Sequence, residues 1–365
     1  MMSNWSEQEK QQFPDNLVTW YEDEKRELPW RENRDPYRVW VSEIMLQQTQ
    51  VDTVIPYFER FMTLFPTMHI FAEAPEELIL KAWEGLGYYS RVRNLQTAMK
   101  EVVELYDGIV PTDKETVLAL KGVGPYTAGA ILSIAYNQPE PAVDGNVYRV
   151  YSRLMEIEDD IAKAKTRKVF EKVVAETISQ TNPGAFNQAL MDLGATICTP
   201  KNPKCAACPV AQYCRSHASG TMLNFPVKTK KIKTKQRYLV TAIIQNNAGE
   251  ILVQQRPETG LLANMWMFPS IEADKPFADL ATSFKIGLDL PVYVNQESLG
   301  QVKHVFSHLK WEVETLTGII TTDEFKLPEN YRFVSITAMK HLPFPVPYQK
   351  VWQLYLKTRS GMRDE

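Results

Sequence analysis

The sequence predicts a multi-domain protein in which an all-α region is followed by a separate α+β domain. Three observations carry this prediction. From about residue 8 to residue 197 apolar positions recur at helical spacing, and proline or glycine separates many of the segments. A run of cations without an acid among them, Lys228, Lys230, Lys231, Lys233, Lys235 and Arg237, then interrupts the chain. Beyond it the grammar becomes β-rich, with a run over 238–245, the turn Asn246-Asn247-Ala248-Gly249 and a second run over 251–255.

Taken in order, the helical segments fall near 8–25, 36–49, 51–63, 76–84, 90–106, 113–121, 126–136, 145–154, 163–179 and 183–197. In the second part, one helix is expected near 278–287. Strands are expected around Val292, over 299–306, 311–321 and 331–335, and a closing helix from Tyr348. The expected domains are therefore a helical region over 8–216, a basic linker over 217–236 and an α+β domain over 237–360. No internal repeat is visible.

With 365 residues, 44% hydrophobic and 23% charged, the chain has the composition of an ordinary globular protein. No apolar run approaches the roughly 20 residues of a membrane span, and the N-terminal residues lack the pattern of a signal peptide. The expectation is a monomer in the cytoplasm with no membrane partner. A net charge of −3 neither demands nor excludes nucleic acid, because the placement of the cations matters more than their sum. The basic run reads either as a linker lying along a polyanion or as a solvated hinge.

Within the helical region, Leu120-Lys121-Gly122-Val123-Gly124-Pro125-Tyr126 is a glycine hairpin between two helical patterns. Thr112 with Glu115 forms a capping box that opens the first helix, and Gly122 can end it in a left-handed conformation. Pro125 suits the first position of the next helix, whose narrow apolar face is Ala128, Ile131, Leu132 and Ala135. The amides from Val123 to Tyr126 then lie at a helix N-terminus, where partial positive charge and unsatisfied donors favour a phosphate. An acid, Asp144, follows eighteen residues after Tyr126.

All four cysteines, Cys198, Cys205, Cys208 and Cys214, fall within seventeen residues, with Pro200, Pro203 and Pro209 between them. Such crowding is a ligand set, because disulfides are disfavoured in a reducing compartment. Four thiolates suit a zinc ion or an iron-sulfur cluster. Lys201, Lys204 and Arg215 lie among them and give the loop a basic surface.

Gly122-Val123-Gly124, Asp144 and the four-cysteine loop, in that order, resemble the helix-hairpin-helix DNA glycosylases that carry a [4Fe-4S] cluster, the endonuclease III superfamily. The resemblance covers about residues 8–216. It implies that the hairpin grips duplex DNA, that Asp144 acts at the sugar, and that the cysteines hold a [4Fe-4S] cluster. Strand-cutting members carry a lysine two residues after the second hairpin glycine. Tyr126 stands there, and a phenol cannot form a Schiff base. Tyr126, with Leu28-Pro29-Trp30-Arg31, Ser42-Glu43-Ile44-Met45-Leu46-Gln47-Gln48-Thr49-Gln50, Gly85-Leu86-Gly87-Tyr88-Tyr89-Ser90-Arg91 and Val143-Asp144-Gly145-Asn146-Val147, is similar to the adenine DNA glycosylase branch, the MutY group.

That resemblance implies specific roles. Glu43, among Trp40, Val41, Ile44, Met45 and Leu46, is expected to hold a raised pKa and protonate N7 of a flipped adenine. Asp144 is expected to stabilise the cationic sugar or trap it covalently, with Asn146 and Tyr126 orienting the pair. Arg26, Trp30, Arg31 and Gln188 are candidates for the adenine pocket, and Gln48 and Tyr88 for side chains that replace the flipped base in the stack.

In the second domain, the stretch Gly260–Pro269 is similar to the segment that precedes the catalytic helix of Nudix hydrolases. The acidic box that should follow is missing: after Glu272 comes Lys275-Pro276-Phe277. The resemblance therefore implies a Nudix-like domain without nucleotide hydrolysis. It implies that Phe306, Ser307 and His308 contact 8-oxoguanine opposite the target adenine, with the serine and histidine hydrogen-bonding the oxidised base.

Overall fold

The computed structural model describes residues 5–229, 234–288, 290–322 and 324–361. The chain folds into two compact units, one of Met1–Glu73 with Arg91–Lys230 and the other of Ala74–Ser90 with Lys231–Glu365.

The first unit is helical: α1 (Glu7–Glu24), α2 (Pro36–Leu46), α3 (Val51–Leu64) and α4 (Met68–Glu73) precede the segment given to the other unit, which contains α5 (Glu76–Ala82). Then follow α6 (Ser90–Tyr106), α7 (Lys114–Ala119), α8 (Pro125–Tyr136), α9 (Gly145–Met155), α10 (Thr166–Ala175), α11 (Pro183–Asp192) and α12 (Arg215–Ser219). Proline occupies the first turn of α2, α8 and α11, where its fixed φ suits the helix and its missing N–H is not needed. Helix α8 packs against both α2 and α11, and the three wall the cleft described below. Behind it, Phe13 meets the rings of Tyr151 and Phe186 edge-on at 6.2 and 6.0 Å, in a core shared by α1, α9 and α11.

Several boundaries differ from the sequence reading, each for a local reason. The expected helix over 36–49 stops at Leu46, and Gln48 turns the chain with φ 60°. Helix α4 was not anticipated, because six residues are too few to show a period. Asp113, not Thr112, caps α7: its carboxylate accepts from the Thr116 amide at 2.9 Å. Either residue type can cap, and the register falls to the one with the charged acceptor. The apolar face of α8 is not narrow, since every residue from Thr127 to Ile134 is buried. The run over 183–197 is α-helical only to Asp192 and finishes as a π turn, Leu193–Ile197, that delivers the chain to Cys198.

Close packing of α8 depends on Gly129. A Cβ there would lie 2.0 Å from the carbonyl oxygen of Pro141, so only glycine lets the segment that leads into Asp144 run against this helix.

Among the described residues, the second unit is built on an eight-stranded mixed sheet. Its strands are β1 (Lys235–Gln245), β2 (Ile251–Gln255), β3 (Trp266–Met267), β4 (Ser270–Ala273), β5 (Val292–Val294), β6 (Gly300–Val305), β7 (Leu309–Ile320) and β8 (Tyr331–Val334). The main path runs β3-β2-β1-β7-β5, and β1 and β7 pair in parallel from Lys235↔Leu309 to Gln245↔Ile319. Leu239 and Ile243 of β1 join a core with Tyr348 and Val351 of the closing helix (Val346–Gly361), while Val240, Ala242 and Ile244 join another with Phe284 of the helix Leu280–Gly287. Alternation along β1 thus places one helix on each face. Carboxylates of residues 76–84 tie that segment in: Glu77 accepts from Trp266 Nε1 at 2.7 Å and Arg332 Nη2 at 3.1 Å, and Glu84 from the Phe344 amide at 2.7 Å. Of the basic run, Lys230, Lys231 and Lys233 lie outside the described residues, and Lys235 and Arg237 already belong to β1.

Gly129→Ala is expected to destabilise the protein by about 1–3 kcal/mol in urea denaturation, because the added methyl meets backbone rather than a movable side chain. An unchanged unfolding midpoint would contradict the close approach.

Candidate active site

The site begins with the hairpin between α7 and α8. Leu120 ends α7 in an extended conformation, the Val123 amide donates back to its carbonyl at 3.1 Å, and Gly122 takes φ 76° to reverse the chain. The helix therefore stops before Gly122, and Val123 does not offer a free amide as the sequence reading expected. Gly124 caps α8, whose first intrahelical bond runs from Ala128 to the Gly124 carbonyl at 2.9 Å. The amides of Tyr126 and Thr127 have no acceptor within the helix and lie at its positive end. A Cβ on Gly124 would meet nothing within 4 Å, so the backbone here is open to an approaching phosphate.

Two carboxyls share the cleft beside the hairpin. Glu43 on α2 is 5% exposed, with Trp40, Val41, Ile44 and Met45 buried around it in sequence. Tyr126 donates its hydroxyl hydrogen to Glu43 Oε2. Burial disfavours the charged form and pushes the Glu43 carboxyl up to about 7; the Tyr126 hydrogen bond and Arg31 pull it down, and Asp144 pushes it up. Asp144 caps α9: its Oδ1 accepts from the amides of Asn146 and Val147 at 2.9 and 2.8 Å, and its Oδ2 from Asn146 Nδ2 at 2.8 Å. Burial raises its pKa from the ordinary value, and these three hydrogen bonds oppose the rise by favouring the carboxylate.

The cleft has a volume of about 620 Å³ and brings together Glu43, Tyr126, Asp144 and Asn146 with Arg26, Trp30, Arg31, Gln48, Gly122, Gly124 and Gln188. Val123 is buried behind the hairpin and does not line it. Trp30 is buried and meets Phe58 edge-on at 5.5 Å. Gln188 donates Nε2 to the Gly184 carbonyl at 3.3 Å, leaving its amide oxygen for other partners.

Two residues that the sequence reading missed organise this site. Asp192, at the end of α11 and 2% exposed, takes both pocket arginines on one carboxylate: Arg31 donates Nη1 to Oδ2 at 2.8 Å and Nη2 to Oδ1 at 3.1 Å, and Arg26 donates Nε to Oδ1 at 3.0 Å. Its spacing of four from Gln188 on one helix was the available signal. Arg149 on α9 donates Nη2 to Asn146 Oδ1 at 2.8 Å and Nε to the Cys198 carbonyl at 2.8 Å.

The four cysteines gather round one small cavity with Arg153, which donates to Cys198 Sγ at 3.3 Å and to the Thr199 and Pro200 carbonyls. Among the described residues no three His, Cys, Asp or Glu side chains are close enough to share a single metal ion. Four sulfurs around one cavity suit an iron-sulfur cluster, and a guanidinium donating to sulfur fits its anionic ligands.

In the second unit, Ser307 and His308 are exposed at the tip of the β6–β7 hairpin, closed by the Phe306 amide donating to the Leu309 carbonyl at 2.7 Å. Phe306 does not project with them; its ring packs edge-on against Trp311 at 5.0 Å. Tyr88, with φ 49°, shares a 2.5 Å hydrogen bond with the Ser307 hydroxyl.

Fold and site together define a helix-hairpin-helix base excision glycosylase. Residues 41–176 match the HhH-GPD superfamily of base excision DNA repair proteins, 198–214 the iron-sulfur binding domain of endonuclease III, and 240–354 the NUDIX domain. The chain is 36% identical to the adenine DNA glycosylase of Rattus norvegicus over 96% of its own length and 79% of the rat protein, and 34% identical to that of Homo sapiens over 96% and 75%. Among solved structures it is similar to a thermostable thymine-DNA glycosylase (TM-score 0.52, 26% identity, 58% of this chain and 98% of that one). Part of the fold is also similar to endonuclease III in a non-covalent DNA complex (TM-score 0.50, 24% identity, 59% of this chain and 98% of that one). The chain belongs to the adenine DNA glycosylase family, DNA-binding base excision repair enzymes with a [4Fe-4S] loop. No helix among the described residues is long and apolar enough to cross a membrane.

Because the Tyr126 hydrogen bond lowers the Glu43 pKa, Tyr126→Phe is expected to move the alkaline limb of the base-excision pH–rate profile upward from about 7. A downward or absent shift contradicts the assignment. Glu43 also makes the fold pH-dependent. Its folded pKa of about 7 lies above the value of 4.5 for a free glutamate, so its contribution to stability is full below 4.5 and lost as pH rises through 7. Glu43→Gln is therefore expected to gain thermal stability relative to wild type across that window, read from melting temperatures on both sides of it.

Proposed function

We propose that this protein hydrolyses the N-glycosidic bond of adenine mispaired with 8-oxoguanine or guanine in duplex DNA, and that it does so without cutting the strand. The observation that carries the reading is Glu43, a buried carboxyl with its pKa brought near neutrality, in one cleft with Tyr126 and Asp144. Tyr126 donates to Oε2, so the acidic proton of neutral Glu43 sits on Oε1, directed away from the tyrosine. Delivered to N7 of a flipped adenine, it converts the base into a neutral leaving group as the C1′–N9 bond breaks. Asp144, aligned by the α9 amides and by Asn146, opposes the positive charge that develops on the sugar until water adds at C1′.

The pocket supplies the fit. Trp30 offers a ring, and Arg26, Arg31 and Gln188 offer hydrogen-bonding groups to the edges of the base. The amides of Tyr126 and Thr127 grip a phosphate, while Gln48 and Tyr88 fill the space the base leaves. The exposed Ser307 and His308, with Tyr88 bonded to Ser307, read the 8-oxoguanine edge, and Phe306 supports their loop from within the core. When bound at the four cysteines, the [4Fe-4S] cluster cross-links the loop; Arg153 and the basic residues Lys201, Lys204 and Arg215 hold its shape and charge toward DNA. The domain plan of a helical glycosylase over 8–216, a linker over 217–236 and a reader domain over 237–360 belongs to the same proposal. Action as a monomer belongs to the same proposal. Four thiol ligands suit the reducing cytoplasm.

No lysine among the described residues lines the cleft, which supports base removal without a Schiff base. A duplex carrying adenine opposite 8-oxoguanine, resolved with and without alkali, tests this: breaks are expected only after alkali. Direct cleavage would indicate a lyase, and intact strands after alkali would refute glycosylase activity. Glu43→Gln should slow base release by about 10²- to 10⁴-fold with duplex affinity retained. Replacing Ser307 and His308 by alanine should narrow the rate ratio between 8-oxoguanine and guanine opposite adenine, and an unchanged ratio would remove the reader role.

A further inference from the structure

Asp192 does not itself line the cleft, yet it is the only acid that the structure places on either pocket arginine by direct hydrogen bond among the described residues. Two guanidiniums converge on one buried carboxylate, so a net positive charge is left at the wall of the adenine pocket. Arg31 is held further by a bond from Nη1 to the Arg26 carbonyl at 3.2 Å and by the Tyr21 ring, whose centroid is 5.3 Å from the guanidinium carbon. Its side chain is only 12% exposed and that of Asp192 only 3%, so solvent screens this pair weakly. A bidentate bond also fixes the plane of the Arg31 fork, which a single contact would not do.

We propose that Asp192 is a positioning residue of the glycosylase reaction: its carboxylate locks Arg26 and Arg31 into one oriented wall for the adenine and offsets their charge, so that Glu43 keeps its proton. The inference rests on the adenine-pocket reading with Glu43 as the acid. The charged and titratable groups that face Glu43 are Tyr126 from α8, Asp144 at the start of α9 and Arg31 from the Pro29–Arg31 turn. Of these, only Arg31 is a cation, and it favours the carboxylate. Asp192 opposes that influence at its source. Both partners carry the mark of the pair, for the hydrogen bonds raise Arg31 against burial and lower Asp192 against burial.

The test is single-turnover adenine excision as a function of pH, with duplex affinity measured in parallel, on the full cluster-loaded protein. In Asp192→Asn, two guanidiniums lose their counter-charge. The alkaline limb should move down by about one pH unit, which is about a tenfold lower rate at any pH above it. Removing one cation as well, in Asp192→Asn with Arg26→Met, should return the limb toward the wild-type position without restoring the substrate affinity. A uniform fall in rate with the limb unmoved would mean that Asp192 is merely structural and would overturn the proposal. If Asp192→Asn does not fold, Asp192→Glu decides: charge kept but reach altered should leave the limb in place and weaken binding of the adenine duplex, and a moved limb or unchanged binding counts against the proposal. Glu43→Gln is run alongside. Rapid excision by that variant would sink the acid assignment itself, whereas a dead Glu43→Gln with an unshifted Asp192→Asn sinks only the present inference.

Discussion

The structure turns on keeping a proton on one buried carboxyl. Glu43 sits on a helix whose neighbouring positions are apolar and buried, and its own burial disfavours the anion. Every other feature of the cleft is arranged around that imbalance. Asp144, an acid of the same cleft, sits at a helix N-terminus where two amides and the Asn146 side chain hold it as an acceptor. Burial raises the pKa of both, but Glu43 has one phenol donor opposing the rise and Asp144 has three N–H donors, so each carboxyl suits a different task.

Holding the first group in that state costs stability, and the fold carries the cost through its packing. Helices α2, α8 and α11 each start on proline, α8 packs against the other two, and Gly129 lets the chain before Asp144 lie directly against α8. The second acid-base balance, Asp192 against two arginines, lies just behind the pocket wall. Arg149 extends the same polar framework from Asn146 to the carbonyl of Cys198, so the cysteine loop buttresses the residue that orients Asp144.

Much of this was legible in the sequence, and the limits of legibility have a physical pattern. The glycine hairpin, Asp144 and the cysteine loop are each encoded by residues close together in the chain, so their order could carry the family resemblance that gave them roles. Glu43 was singled out by the family resemblance, and its sequential apolar neighbours supplied the reason for a raised pKa. The Asp192 pair joins residues 161 and 166 positions apart, and Tyr88 reaches Ser307 across 219; no local period records such contacts. The cap of α7 was misplaced by one residue because Thr112 and Asp113 are both competent caps and the choice depends on backbone register. Phe306 was read together with Ser307 and His308 as one exposed group, whereas its ring packs edge-on against Trp311.

The central claim is that Glu43 is protonated near neutrality in the folded protein. Infrared difference spectra between wild type and Glu43→Gln, recorded across pH on the full protein, isolate the carbonyl stretch of that one carboxylic acid. A band that persists at mildly acidic pH and disappears with a midpoint of about 7 is the result the structure predicts. A band that is already gone above the ordinary glutamate value of 4.5 would contradict it.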